Sequence, residues 1–392
     1  MINLSEPNIS KKEIYFVNKV LYSKHLVDCF FQNTAEKLIK KIIKAKYVAL
    51  TQSCSSALEV ASILINLKKN DEVLMPSYTF SSTANAVVMR GAKPVFVDIL
   101  PNLNIDLDDL EKKITKKTKA IFVVHYGGIC CDMERLMNIK KKNKLILVED
   151  AAHAFLSKYK NKYLGMFGDM ATYSFHATKN FTGGQAGALI INNRKFIKNA
   201  DIILDKGTDR KRIINFMSKF HPTQKLVNKK VYSWKNIGSE YRASEISSAL
   251  VFVQISRRNE LQKKRSIIFN RYLKNLSNLE NIFFKILKPE KYVTSSFHNF
   301  VLIMKTSKVA NNLIYYLYKE KKIFSSFHYI PLHTSFYSRK NLKNKQKLPI
   351  TESFFNRVVR LPLHFNLSIK QVDYIIKSVK IFFKMHNLNK NI

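Results

Sequence analysis

LILVEDAAHAFLSKYKNKYLGMFGDMATYSFHATKNFTGGQAGAL, residues 145–189, is the stretch whose reading decides the fold. Residues 145–149 are nearly all apolar, the pattern of a strand buried on both faces of a parallel sheet. The run stops at Asp150, and the small residues Ala151 and Ala152 follow. A second apolar run, 170–175, leads into His176, Thr178 and Lys179. Thr182, Gly183 and Gly184 then turn the chain into a third run, 186–191. In an open α/β sheet, ligands bind beyond the carboxyl ends of the strands, and Asp150 and Lys179 both fall there.

One acid and one lysine, each just past a strand end, are the residues a pyridoxal phosphate site requires. The lysine makes a Schiff base with the cofactor, and the acid keeps the pyridine nitrogen protonated so that the ring draws electrons. Plainer readings exist for each. With 67 Lys+Arg in the chain, a lysine lies near most motifs and most lysines are solvated surface. An Asp at a strand end is often only a helix N-cap.

At 392 residues the chain suffices for a large α/β domain and a smaller one, with a boundary expected near 245: 1–244 large, 245–392 small α+β. A hydrophobic fraction of 46% predicts a folded protein. No uncharged apolar run approaches the ~20 residues that span a bilayer. The opening MINLSEPNISKKE lacks the basic-then-apolar order of a signal peptide. Cys29, Cys54, Cys130 and Cys131 have no metal-ligand spacing, so no metal is expected. These features together predict a cytoplasmic protein with reduced thiols, away from membranes. The formal charge of +39 invites a nucleic-acid reading. The lysines are instead spread along the chain among abundant Asn and Ile, with no Arg-rich tract or aromatic RNA-binding signature. Specific nucleic-acid binding is not expected; an anionic small substrate would still profit from the positive field.

Working outward, residues 47–50 read as a strand that runs into Thr51-Gln52-Ser53-Cys54-Ser55-Ser56 and an apolar helix over 58–67. Strand, hydroxyl-rich turn and helix form a phosphate-binding arrangement, because free N–H groups and the helix dipole meet an anion there. An ordinary Ser N-cap accounts for the same residues. Residues 72–75 form the next expected strand, and Phe80 follows its end, where a ring could stack on a planar cofactor or simply pack in the core. Strands over 94–98 and 119–125, with a helix over 106–114 between them, complete a β–α alternation from 47 to 191 and predict a parallel sheet with covering helices. All ten glycines lie between Gly91 and Gly238. Residues 206–234 read as a polar, Lys-rich loop.

The motifs TQSCSSALE, MPSYTFSSTANA, FVDI, VVHYGG, VEDAAHA, YSFHATKNFTGGQAGA, GSEYRASE, FHYIPLH and RLPLHFNLS occur in one order. That series resembles the pyridoxal-phosphate-dependent nucleotide-sugar aminotransferases of the DegT/StrS group over about residues 3–382. Within the group it is most similar to the dTDP-4-amino-4,6-dideoxygalactose transaminases of enterobacterial common antigen synthesis. The resemblance implies the aspartate-aminotransferase fold: a large α/β domain with a mixed, mostly parallel sheet, a small C-terminal α+β domain, and active sites at a homodimer interface. It implies pyridoxal 5'-phosphate as cofactor, with L-glutamate and a dTDP-4-keto-6-deoxyhexose as substrates.

By the same resemblance, Lys179 matches the Schiff-base lysine and Asp150 the partner of the pyridine nitrogen. His153 matches the Gln or His set against the ring's phenolic oxygen, and Phe80 the aromatic stacked on the ring. Ser55, Ser56 and Ser174 match phosphate-cradling positions. His328, Tyr329 and His333 match a motif near the sugar-nucleotide pocket. Where the family commonly has Gly-x-Asn-x-Arg, this chain has Gly238-Ser239-Glu240-Tyr241-Arg242. A glutamate would repel a phosphate, so Glu240 is expected to point away and Arg242 of a neighbouring subunit to reach the phosphate. Gln185-Ala186 replaces a Glu-Gly usual in the close relatives, and residues 211–230 look longer than theirs. A sugar dehydratase of the same fold carries histidine in place of the lysine, and Lys179 speaks against it. A non-catalytic binding member of the fold is the other alternative.

Overall fold

The computed structural model describes residues 1–27, 30–210 and 232–388, with side chains as far as Met385. The strands are β1 (Tyr47–Thr51), β2 (Glu72–Pro76), β3 (Lys93–Val97), β4 (Thr118–Val124), β5 (Ile146–Asp150), β6 (Lys158–Tyr159) and β7 (Lys162–Tyr163). They continue as β8 (Met170–Ser174), β9 (Gly187–Ile191), β10 (Phe284–Ile286), β11 (Val293–Thr294), β12 (Phe300–Met304) and β13 (Val358–Leu361). Seven of them form the central sheet, in the order β1-β9-β8-β5-β4-β2-β3. Side chains along each strand divide between two cores. Leu147, Ala171 and Ile190 enter one, whereas Val148, Met170 and Leu189 enter the other. Burial on both faces is why these strands read as unbroken apolar runs.

Every neighbouring pair from β3 to β8 is parallel, but β9 runs antiparallel to both β8 and β1. A parallel return needs a crossover, usually a helix, and residues 175–186 contain none. The chain therefore doubles back at the carboxyl edge of the sheet, with Ser174 opposite Gly187. Lys179 sits in that turn, on the same edge as Asp150. With this one strand reversed the sheet is mixed and mostly parallel, as the family resemblance implies. Gly187 is required where the turn ends. A Cβ there would lie 2.4 Å from both the Ser53 carbonyl carbon and the Cys54 nitrogen, at the start of the helix Cys54–Ile65.

A second, smaller sheet, β10-β12-β13, is covered by the helices Arg258–Leu276, Ser307–Lys319 and Ile369–Leu388 over its own core. That core begins at Ile268, whereas Val251, Ile255 and Leu261 belong to the core of the large sheet. The helix Glu245–Ser256 therefore shares the core of the large sheet. The cause is the docking of the helix Glu245–Ser256 on the N-terminal helices Lys11–Ser23 and Phe30–Ile43. There Phe252 meets Phe16 at 5.8 Å, and the Glu245 carboxylate accepts the Phe31 and Gln32 amides at 2.8 and 2.9 Å. Most of the 206–234 stretch, including the long segment 211–230, lies outside the described residues. Among those described, no helix is long and apolar enough to cross a membrane and no side-chain cluster suits a metal ion. Cys54, Cys130 and Cys131 are free thiols.

Candidate active site

The carboxyl ends of β5 and β8, the starts of two helices and the inner side of β13 enclose a cavity of about 850 Å³. Asp150 closes its floor at 5% exposure. Its Oδ2 accepts the Thr83 hydroxyl at 2.7 Å and its Oδ1 the Ala152 amide at 3.2 Å; turns and no helix follow it, so Asp150 is not a helix N-cap. Burial raises its pKa, and the Thr83 bond, then the Ala152 amide and Lys179, pull the other way. Lys179 borders the same cavity, half-buried, and its pKa falls to about 8, chiefly through burial. Among the described residues neither the ammonium nor the carboxylate has an ion-pair partner. A buried carboxylate and an ammonium that share a cavity without touching leave room for a group carrying the complementary charge between them.

His153 lies three residues past Asp150. The Gly127 amide donates to its Nδ1 at 3.3 Å, which leaves the ring hydrogen on Nε2, 3.4 Å from the Tyr329 hydroxyl. Its ring stacks on His298 at 4.2 Å, and burial keeps it neutral. Two helices begin at the cavity, Cys54–Ile65 and Ser81–Val88. Ser53, Ser55 and Ser82 line the wall between them, with the Ser55 and Ser82 hydroxyls 2.6 Å apart. Ser174, at the end of β8, lines the same wall. Free helix amides and converging hydroxyls suit a phosphate. Phe80, 61% exposed, overhangs the cavity, its ring 6.2 Å from that of Tyr329. His328 and Tyr329 form the opposite wall, stacked at 4.2 Å. Burial, with Arg360 and Lys179 nearby, drives the His328 pKa down to about 2.

Three expected residues lie elsewhere. Ser56 is outside the lining: its amide bonds Ser53 Oγ at 3.0 Å and its hydroxyl lies 2.9 Å from the same atom, so it serves the N-cap. His333 is buried behind the wall, with Nδ1 2.7 Å from Ser77 Oγ and Nε2 3.0 Å from Glu352. It fastens the 331–335 turn to the end of β2 rather than facing the cavity. Arg242 is also buried and outside the lining, its guanidinium 2.6 Å from Asp201 and 3.5 Å from Glu36. Two carboxylates of its own chain hold it there. Glu240 is paired with Lys206.

Sequence reasoning missed Thr83, Ser82, His298 and Arg360. Thr83 had a signal, three positions after Phe80 in a helix of small residues. His298 and Arg360 reach the cavity from the small sheet and its approach, with His298 Nδ1 2.9 Å from Asn180 Oδ1.

The fold and this site define a class: an enzyme whose cavity joins a lysine, a buried acid and two hydroxyl-lined helix starts, an arrangement that suits pyridoxal phosphate. Comparison with known proteins narrows it. A model of the DegT/DnrJ/EryC1/StrS aminotransferase family matches residues 7–380. GDP-perosamine synthase of Escherichia coli O157:H7 is 30% identical over 97% of this chain and 98% of its own length. The UDP-4-amino-4,6-dideoxy-N-acetyl-beta-L-altrosamine transaminase of Campylobacter jejuni (strain 81-176) is 28% identical over 96% of each. Among solved structures, Spr1654 of Streptococcus pneumoniae in its PMP form superposes with a TM-score of 0.89 at 27% identity, covering 98% of this chain and all of the other. The chain belongs to the DegT/DnrJ/EryC1/StrS aminotransferase family. It is a sugar aminotransferase with pyridoxal phosphate as its cofactor.

Proposed function

We propose that the chain moves the amino group of L-glutamate to the 4-keto carbon of a nucleotide-linked 6-deoxyhexose. The acceptor is dTDP-4-dehydro-6-deoxy-D-glucose and the product dTDP-4-amino-4,6-dideoxy-D-galactose, made in the cytoplasm for a surface polysaccharide such as enterobacterial common antigen. The observation that carries this reading is the unpaired ammonium of Lys179 sharing one cavity with the unpaired carboxylate of Asp150. The choice of dTDP and of the galactose epimer rests on the order of motifs from TQSCSSALE to RLPLHFNLS.

When bound, pyridoxal phosphate supplies the electron-withdrawing ring that lets a proton leave the carbon bearing nitrogen. Lys179 would hold the cofactor through its amine, and the same amine, once freed, would move a proton at the carbon bearing nitrogen. Asp150 would keep a proton on the ring nitrogen, and His153 would offer its Nε2–H to the ring oxygen. Phe80 would cover the ring, Ser55 and Ser174 would take the phosphate, and His328 and Tyr329 would border the sugar. The C–N bond of glutamate becomes the C=O of 2-oxoglutarate while the sugar's C=O becomes C–N. Water consumed in one half is released in the other. A homodimer is the working unit, since a second copy would cover Ile14, Tyr15, Leu21, Tyr22, Leu26 and Val27, which this chain exposes.

The test is an absorbance spectrum of the purified protein with pyridoxal phosphate, read after L-glutamate and then after a panel of dTDP-, GDP- and UDP-linked 4-keto-6-deoxyhexoses. The visible band should vanish with glutamate and return with the dTDP sugar. No band would make the chain a non-catalytic member of the fold. Return with a GDP or UDP sugar alone would replace the substrate.

A further inference from the structure

Two motifs of the chain, VVHYGG at 123–128 and VEDAAHA at 148–154, meet twice beside Asp150. Glu149 shares the face of β5 occupied by Leu147, where the surroundings are apolar, and it is fully buried. A carboxylate there is costly unless hydrogen bonds fill it. Four N–H groups do so. Its Oε1 accepts the amides of Phe167 and Gly168 at 2.7 and 2.6 Å, and its Oε2 the Gly165 amide at 2.7 Å. The fourth place, on Oε2 at 2.9 Å, belongs to His125 Nε2. A carboxylate only accepts, so that nitrogen carries a hydrogen.

Three of these bonds fasten the 165–168 turn to β5. The fourth reaches across to the end of β4. His125 is fully buried there, and its backbone amide donates to the Asp150 carbonyl at 3.1 Å. The turn that follows has Gly127 at φ 64° and Gly128 at φ 81°, the left-handed region that favours glycine. So bent, it directs the Gly127 amide to His153 Nδ1, 3.3 Å away. Glu149 therefore holds the histidine of the first motif, and the first glycine of that motif holds the histidine of the second.

The second contact has a chemical consequence. A neutral imidazole carries one hydrogen, and the nitrogen that accepts a bond leaves that hydrogen to the other. With Nδ1 occupied, His153 presents Nε2–H at the cavity, 3.4 Å from the Tyr329 hydroxyl. The other tautomer would present a bare nitrogen, which repels an oxygen bearing negative charge. His298 stacks on the ring's face and so leaves the choice of tautomer to Gly127.

We propose that Glu149 and His125 are positioning residues for His153: they hold the turn that keeps the Gly127 amide on Nδ1, and so make His153 a hydrogen donor to the cofactor's ring oxygen. The proposal rests on the reading of His153 as the partner of that oxygen. The tautomer itself can be read without cofactor, which separates the two.

The test is nitrogen NMR of the protein labelled in its histidine rings, with His153 identified by the signals lost in His153→Gln. In the cofactor-free parent, Nδ1 should be bare and Nε2 protonated; the reverse overturns the proposal. His125→Gln keeps an N–H at about the reach of Nε2 and should leave the His153 signals as in the parent. His125→Asn carries its amide too short for Glu149, and the His153 signals should move toward a mixture of tautomers. Its affinity for pyridoxal phosphate, read from the visible band, should fall roughly tenfold, the worth of one hydrogen bond. In a His153→Gln background the same His125→Asn change should cost less than about twofold, because a glutamine amide offers its N–H with no tautomer to set. His125→Phe takes the place of the Asn variant if that protein does not fold. Parent-like nitrogen signals in the Asn variant overturn the proposal, as does a Gln variant equally disturbed. So does an equal loss of affinity in both backgrounds, which would make the pair a support of the fold alone. If the parent binds no pyridoxal phosphate, the cofactor reading fails, and the nitrogen signals still decide whether Glu149 and His125 set the tautomer.

Discussion

At the scale of the residue, what could be read in advance was what the chemistry demands, and what could not be read was where each side chain turns. Lys179, Asp150, His153, Phe80, Ser55 and Ser174 all reach one cavity, because each stands directly after a strand or at a helix start whose position the apolar runs determine. Ser56, His333 and Arg242 have equally suitable chemistry, but each is engaged by a nearer partner: Ser53, Ser77 with Glu352, and Asp201 with Glu36. Nothing in the linear pattern distinguishes these outcomes. Two predictions belong here. The Lys179 amine should combine with added pyridoxal phosphate at a rate that rises with pH through about 8, since burial lowers its pKa and only the neutral amine is nucleophilic. A midpoint in the ordinary lysine range, near 10.5, would contradict the burial argument. Asp150→Asn should cut turnover by about a hundredfold or more while weakening cofactor binding much less, because the amide cannot hold a proton on the ring nitrogen. Parent-like kinetics in that variant would remove the acid from the mechanism.

At the scale of the element, the decisive piece is the turn from β8 to β9. Its legible features were the two apolar runs and the glycines between them. The reversal of β9 was not legible, because strand direction depends on what the connection lacks, a crossover helix, and not on the residues of the strand. That reversal brings Gly187 against the first turn of the helix Cys54–Ile65, so the lysine turn and the phosphate cradle share a backbone contact. Gly187→Ala must push one away from the other, since the contacts at 2.4 Å involve backbone and not a flexible side-chain tip. The expected cost is about 1–3 kcal/mol of stability. Affinity for pyridoxal phosphate should fall along with it. Denaturant melts and a spectral cofactor titration measure the two effects, and a variant that loses neither would show that the two segments can separate freely. The small-sheet residues Arg360 and His298 belong to this scale too: they reach the cavity through the placement of a second layer, which no local pattern announces.

At the scale of the whole molecule, charge has the largest unspent consequence. The chain carries 67 Lys+Arg against 28 Asp+Glu, so 39 positive charges remain uncompensated even if every acid were paired. Most ion pairs among the described residues are at least partly exposed, such as Arg271–Asp373 and Lys160–Glu134, and pairs of that kind contribute little. Self-repulsion of the folded state should then exceed the attraction that salt would weaken. The unfolded chain spreads the same charges over a larger volume, so screening relieves the compact state more. Raising sodium chloride from 0.05 to 0.5 M shortens the Debye length from about 14 to about 4 Å. With cofactor held saturating, the thermal midpoint should rise by several degrees over that range. Chloride is the appropriate salt because it is excluded less strongly than sulfate, so the shift reports screening and not enhanced burial. A midpoint that fell with salt would mean that the paired acids, few as they are, outweigh the excess of lysine.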